Sequence, residues 1–306
     1  MHVPATATGL IRERVIAATT RLFSHGPHPL AATLDHPGDP GLFGPDSMTW
    51  RVVGDTSVFV GGIRALIVQA AHPEVVAGVA EHSRYREDPL GRLGGTAAYV
   101  TATAFGAMPE VEWALDMVRR RHRPVRGRSH RDQPYDASYP DLAAWVHNCL
   151  TDSFLAAYRA YGSAPCSDDD ADRYVAEQVR VGRLLGADPL PETGSGLSAW
   201  IESHPEIDAS PGAREAIRFL SRPPLPVAVR PAYQVLFRAA VATVPPRIRE
   251  IVGLGSLPGD REVGRVAVSA LRWSLGASPD WRLALMRTGG APPPGVKFRE
   301  PLTATG

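Results

Sequence analysis

Lysine is almost missing from this chain. Lys297 is the only one in 306 residues, so nearly every basic group is a guanidinium, and Schiff-base or P-loop lysine chemistry has nothing to work with. Cysteine is equally scarce: Cys149 and Cys166 stand apart with no C-x-x-C. That argues against a disulfide framework and a thiolate zinc site, and makes a reducing, cytoplasmic setting the expectation. No stretch approaches about 18 uninterrupted apolar residues, the length a membrane span needs. The first eight residues lack a basic segment followed by an apolar one, so secretion is not expected either. Charge of one sign is also lacking. Lys+Arg 33 against Asp+Glu 32 leaves +1, and no global field invites nucleic acid or an anionic membrane.

Absent motifs narrow the chemistry further. There is no G-x-S-x-G, G-x-x-x-x-G-K-[ST], H-E-x-x-H or C-x-x-C-H, and no strand leading into G-x-G-x-x-G. The Glu-x-x-His pairs of helical di-iron proteins are missing too, because Gln69, Arg119 and Ala144 stand three residues before His72, His122 and His147. Non-covalent haem is the cofactor these absences contradict least.

Apolar residues make up 44% of the chain, ample for a packed core. Sustained period-2 alternation is nearly absent and helical spacing recurs, which predicts an all-α fold built as a single large helical domain. Residues 1–49 read as an arm, with a short amphipathic helix from Leu10 to Phe23 followed by Pro/Gly-rich loop chemistry. The helical domain is expected over 50–288, and 289–306 as a flexible tail too rich in Pro and Gly to pack. From Ser57 the run VFVGGIRALIVQAA predicts a helix buried all round, broken at His72-Pro73 and followed by a short helix to His82. Further helices are expected over Arg92 to Phe105, Pro109 to His122, Pro140 to Tyr161, and from the capping Ser167 to Leu185. Three more are expected near Gly212 to Leu220, Ala228 to Val244 and Arg261 to Leu275.

Of the ten histidines, His72 falls at a helix break, His147 in mid-helix and His122 at a helix end among arginines, in Val118-Arg119-Arg120-Arg121-His122-Arg123-Pro124. A buried haem needs an imidazole for its iron and cations for its propionates, and this cluster, with Arg119 and Arg123 flanking His122, supplies both. A basic helix C-terminus that complements the macrodipole would use the same residues with no ligand. Arg92 and Thr96 share a helical face four residues apart, with Gly94 and Gly95 between them. Each glycine costs about 1 kcal/mol of helix stability relative to alanine. Approach of a flat or bulky group would explain them, and so would a close helix crossing.

Several short segments follow one another in a defined order. They are Trp50 to Asp55, Gln69-Ala70-Ala71-His72-Pro73-Glu74-Val75-Val76-Ala77-Gly78-Val79, His82-Ser83, Asp88-Pro89, and Arg92 with Thr96. Phe105-Gly106, His122 with Val125 and Gly127, Trp145-Val146-His147 and Tyr161-Gly162 complete the series. It resembles the catalytic domain shared by rubber oxygenases (latex clearing proteins) and MpaB-type oxygenases, over most of Trp50 to Pro191. The resemblance implies a helical domain enclosing haem b without covalent attachment, with His122 as the axial iron ligand. It places Arg92 and Thr96 beside the haem on the reacting side, and His72 and His147 are further candidates for its surroundings. The implied reaction inserts oxygen from dioxygen or peroxide at an alkene or another electron-rich carbon of an apolar substrate. Arg92 would stabilise negative charge on oxygen and Thr96 would donate a hydrogen bond or proton. The rubber-cleaving branch carries a lysine immediately before that threonine, where this chain has Gly95, and neither a secretion signal nor a membrane anchor is expected. A small hydrophobic substrate is therefore expected rather than polymer. Two other classes remain: a non-catalytic haem carrier or sensor that keeps His122, and a metal-free helical ligand-binding protein in which His122 is only a helix-end cation.

Overall fold

The computed structural model describes residues 28–298 together with Arg12, Glu13, Val15 and Ile16. The rest of the expected opening helix at 10–23 and the end of the expected tail, 299–306, lie outside the described residues. Among the described residues the chain forms thirteen α-helices and one short hairpin. In order these are α1 (Met48–Gly54), α2 (Val58–Gln69), α3 (Pro73–His82), α4 (Pro89–Phe105), α5 (Met108–His122), and strands β1 (Arg126–Arg128) and β2 (Pro134–Asp136). There follow α6 (Pro140–Tyr161), α7 (Asp168–Leu184), α8 (Gly194–Ser203), α9 (Pro211–Ser221), α10 (Arg230–Val241), α11 (Pro246–Val252), α12 (Asp260–Leu275) and α13 (Pro279–Thr288).

Local chemistry fixes the helix starts. Ser47, Asp88, Ser167, Thr193 and Ser210 each accept a hydrogen bond from a backbone N–H of the following turn, satisfying donors that have no partner inside the helix. Proline stands in the first turn of α3, α4, α5 and α6, where its missing N–H costs nothing.

Helices α2 and α6 cross at the centre of the molecule. No residue of α2 is exposed, as its all-round apolarity predicts. The crossing is close at Gly61, where a Cβ would stand 2.6 Å from Phe154 Cδ1 and 3.0 Å from Phe154 Cα. Around it Ile67, Leu197, Ile201 and Ile248 are wholly buried, each worth about 1.5–3 kcal/mol of apolar burial. The one charge of α2, Arg64, is answered inside the core: its Nη1 lies 2.6 Å from Asp152 Oδ2 and donates to Ser153 Oγ at 2.8 Å. Helix α10 packs against α2 and α12, α7 against α1, α6 and α8, and α4 against α5.

Five elements were not expected from the sequence: α1, the hairpin, α8, α11 and α13. The two strands have three residues each, too few for alternation to register, and the four helices are short and bounded by Pro, Gly or Ser. Helix α13 carries Arg287, whose guanidinium donates to Asp39 O and Phe105 O at 2.7 Å each, tying the Pro/Gly-rich arm to the domain. The beginning of the expected tail also makes contacts. Ala277 N donates to Lys297 O at 2.9 Å, and the Phe298 ring meets Trp281 edge-on, 5.8 Å between centroids. One aromatic ring and a backbone bond hold this stretch despite its composition. Among the described residues no single helix is long and apolar enough to cross a membrane, and the apolar pair α1 and α2 is bent by 92°.

Candidate functional site

Helix α4 presents Arg92, Thr96 and Tyr99 on one face, at spacings of four and three. Arg92 Nη1 donates to Thr96 Oγ1 at 2.9 Å, which uses an oxygen lone pair of the threonine and leaves its own O–H proton to donate elsewhere. Arg92 is half-buried, and burial pushes its pKa down. No carboxylate pairs with it among the described residues. A desolvated guanidinium without an anion is costly, so the position calls for a negatively charged or electron-rich group.

Helix α5 packs against α4 and carries Val111, Leu115 and His122 along one face. Val111 and Leu115 form a small apolar cluster with Leu42 and Val181, flanked by Tyr99 and Leu185, so an apolar floor runs towards His122. The His122 imidazole makes no hydrogen bond or ion pair among the described residues. It keeps accessible area, yet burial pushes its pKa below the ordinary value, and the nearby Arg92 charge pushes it the same way. The ring is exposed at the end of α5, yet the protein around it and the Arg92 charge both act on it. Its depressed pKa also keeps it neutral near pH 7, the form that offers a lone pair to a metal.

The arginines around His122 divide by direction. Arg121 turns onto α4: a Cβ at Gly95 would lie 2.5 Å from Arg121 Nη1, so a guanidinium tip, not the α5 backbone, lies against this glycine. Arg119 donates to Asp116 Oδ1 and to Leu184 O, both at 2.8 Å, which fixes it to α7. Arg123 is exposed at the end of α5 with no side-chain partner among the described residues. Tyr99 and Arg121 were missed by the sequence analysis. The signal for Tyr99 was its place seven residues after Arg92. Burial pushes its phenol pKa up.

His147 and His72 belong to other networks. His147, buried on α6, places Nε2 3.0 Å from Gln178 O and packs so near α7 that a Cβ at Gly182 would stand 2.9 Å from its Cδ2. His72 precedes α3, with Nδ1 3.3 Å from Glu74 Oε2 but out of line for a hydrogen bond. The rings of Trp145 and His204 lie 5.6 and 5.5 Å from it. Desolvation lowers both imidazoles to about 4. The structure therefore gathers Arg92, Thr96 and His122 on one helix pair, with Tyr99 and Arg121, and places His72 and His147 elsewhere, His147 against Gln178 O and His72 among aromatic rings.

Among the described residues no three His, Cys, Asp or Glu side chains are grouped to hold a metal ion. One neutral imidazole is a poor site for a bare ion, but it is sufficient for iron already held by a macrocycle, and unpaired guanidiniums suit that macrocycle's propionates. The donor set fits haem.

Among curated proteins and among solved structures, none matches the chain. A family model does match, that of the ER-bound oxygenase mpaB/B'/rubber oxygenase catalytic domain, over residues 50–273. The matched span passes Pro191, the limit of the motif series, and runs on through α10 into α12. Because it takes in most of the sequence, including the α2–α6 crossing and the whole of α4 and α5, the chain belongs to this family of oxygenase catalytic domains.

Proposed function

We propose that the chain is a haem b-dependent oxygenase acting on a small hydrophobic substrate, with His122 as the axial iron ligand. When bound, the haem supplies activation of dioxygen or peroxide for oxygen transfer to an electron-rich carbon. His122 offers a neutral imidazole that has no partner among the described residues. Arg121 and Arg123, free of carboxylates among the described residues, are the cations available to propionates, while Arg119 holds the end of α5 to α7. Arg92 keeps a positive charge and free N–H donors in desolvated surroundings, where they stabilise negative charge that develops beside them. Thr96, accepting from Arg92, has its hydroxyl proton in reserve as a donor. Tyr99, Leu115 and Val181 supply an apolar wall that favours a hydrophobic substrate and excludes water. With Gly95 before Thr96, no amine competes for this space.

The observation that carries this reading is the His122 ring: accessible, lowered in pKa, without a partner among the described residues, and within the field of an arginine on the neighbouring helix. The test is titration of the purified protein with hemin, followed in the visible spectrum. A Soret shift saturating at one hemin per chain is expected, and its absence at stoichiometric protein would remove the reading. Turnover of an apolar alkene by the reconstituted protein with dioxygen or peroxide then separates an oxygenase from a haem carrier.

A further inference from the structure

A cavity of about 660 Å³ lies between α6, α8, α11 and the start of α12, and shares no lining residue with the α4–α5 pair. Its floor is the Arg64–Asp152 pair, with side chains only 3% and 5% exposed. Ser198 Oγ donates to Asp152 Oδ1 at 3.0 Å, and Arg64 Nε donates to Thr243 O at 3.1 Å. Arg64 Nη2 has no partner among the described residues, although the side chain lines the cavity. Arg64 is thus anchored by Asp152, Ser153 and Thr243 and adds its charge to the cavity wall.

The walls are cationic. Arg159, Arg249 and Arg261 line them with Arg64, against only Asp152 and Glu202, so four guanidiniums face two carboxylates. Arg159 is bridged at 2.5 Å to Asp168, which lies outside the lining. Arg249 has only the Ser256 hydroxyl, and Arg261 has no partner among the described residues. Arg261 also stands in the first turn of α12, where the macrodipole disfavours a cation, so helix stability does not account for it. Leu155, Val244 and Pro245 add apolar wall.

We propose that this cavity binds a small organic anion bearing carboxylate or phosphate groups. With Arg159 held by Asp168, Arg64, Arg249 and Arg261 face Asp152 and Glu202, and the positive charge left over suits an anion. A concave wall of one sign concentrates such a ligand, and guanidinium forks pair with carboxylate and phosphate oxygens in bidentate geometry. The volume exceeds that of an inorganic anion and accommodates a short carbon skeleton. This site stands independently of the haem reading.

The experiment is calorimetric titration of the full chain with succinate and, separately, with inorganic phosphate, each against sodium chloride at matched ionic strength. Saturable binding in either arm is expected, and the arm that binds tells carboxylate from phosphate. Arg261→Ala and Arg249→Ala should each weaken it about tenfold or more, the loss expected for one charge-assisted hydrogen bond. Arg214→Ala, an exposed arginine outside the cavity, should leave it unchanged. Arg261 is itself exposed, so its replacement keeps the fold, which a circular dichroism melt verifies. No saturable binding in either arm, or equal affinity in all three variants, would overturn the proposal.

Discussion

The α2–α6 crossing and the α4–α5 pair use the same kinds of residue in opposite ways. At the crossing, Arg64 is met by Asp152, Ser153 and Thr243, and further along α6 His147 is met by Gln178. On α4 and α5, Arg92 has only Thr96 and His122 has no partner for its ring among the described residues. Desolvation lowers the pKa of both imidazoles, so that shift alone does not separate a scaffold imidazole from one proposed as a ligand. What separates them is whether the protein answers the group it has desolvated. Desolvated polar groups left unanswered cost free energy, and such a cost persists where something else completes the site.

The sharpest way to break that comparison is to exchange the fates of the two imidazoles. His122→Ala should abolish haem retention, because an axial imidazole has no substitute. His147→Ala should lower the melting temperature and leave the Soret band in place. A His122→Ala protein that keeps the wild-type spectrum would put the ligand elsewhere. The next effect in size is on rate. Arg92→Ala should raise the barrier to oxidative turnover by about 2–4 kcal/mol, roughly 30- to 1,000-fold in kcat, with little loss of haem. Full turnover would make Arg92 a spectator, and haem loss matching His122→Ala would make it a propionate anchor.

Acid should act through the two buried histidines outside the α4–α5 pair. His72 and His147 fall from 6.5 to about 4 on folding. Above pH 6.5 both states carry them neutral and stability is flat with respect to them. As pH falls from 6.5 towards 4 the unfolded chain binds protons that the folded chain refuses, so stability is lost across that window, by up to about 3 kcal/mol per histidine. Urea midpoints measured from pH 7 to pH 4.5 should therefore fall. His147→Gln, which does not titrate and retains a donor for Gln178 O, should flatten the slope by about one proton. An unchanged slope in that variant would show that His147 is not held neutral.

Much of this was legible in the sequence, for identifiable reasons. All-round apolarity marked α2, capping serine and first-turn prolines marked the starts of α6 and α7, and four-residue spacing put Arg92 and Thr96 together. The His122 cluster was visible as composition. Its internal directions were not, because successive residues of a helix point about 100° apart: adjacency suggested Arg119 and Arg123 as equivalent flanks, whereas Arg119 faces α7 and Arg121 faces α4. The Arg64–Asp152 pair joins helices distant in sequence, and no periodicity reports such a partnership.

Glycine gives the smallest and most discriminating test, since the sequence alone could not say what each glycine admits. At Gly61 an added Cβ would meet Phe154 Cα at 3.0 Å and Ser153 O at 3.1 Å. These are backbone atoms of a packed helix, so Gly61→Ala should cost about 1–3 kcal/mol as overpacking. At Gly95 the Cβ would meet only the tip of Arg121, at 2.5 Å, and a flexible guanidinium can swing aside. Alanine there gains up to about 1 kcal/mol of helix propensity, so the melting temperature of Gly95→Ala without haem should hold or rise slightly. Hemin affinity should nevertheless fall a few fold, because the displaced guanidinium no longer lies along α4 where a propionate could use it. If Gly95→Ala melted as early as Gly61→Ala, the α4–α5 contact would be a rigid core crossing like α2–α6, and the contrast between the two helix pairs would fail.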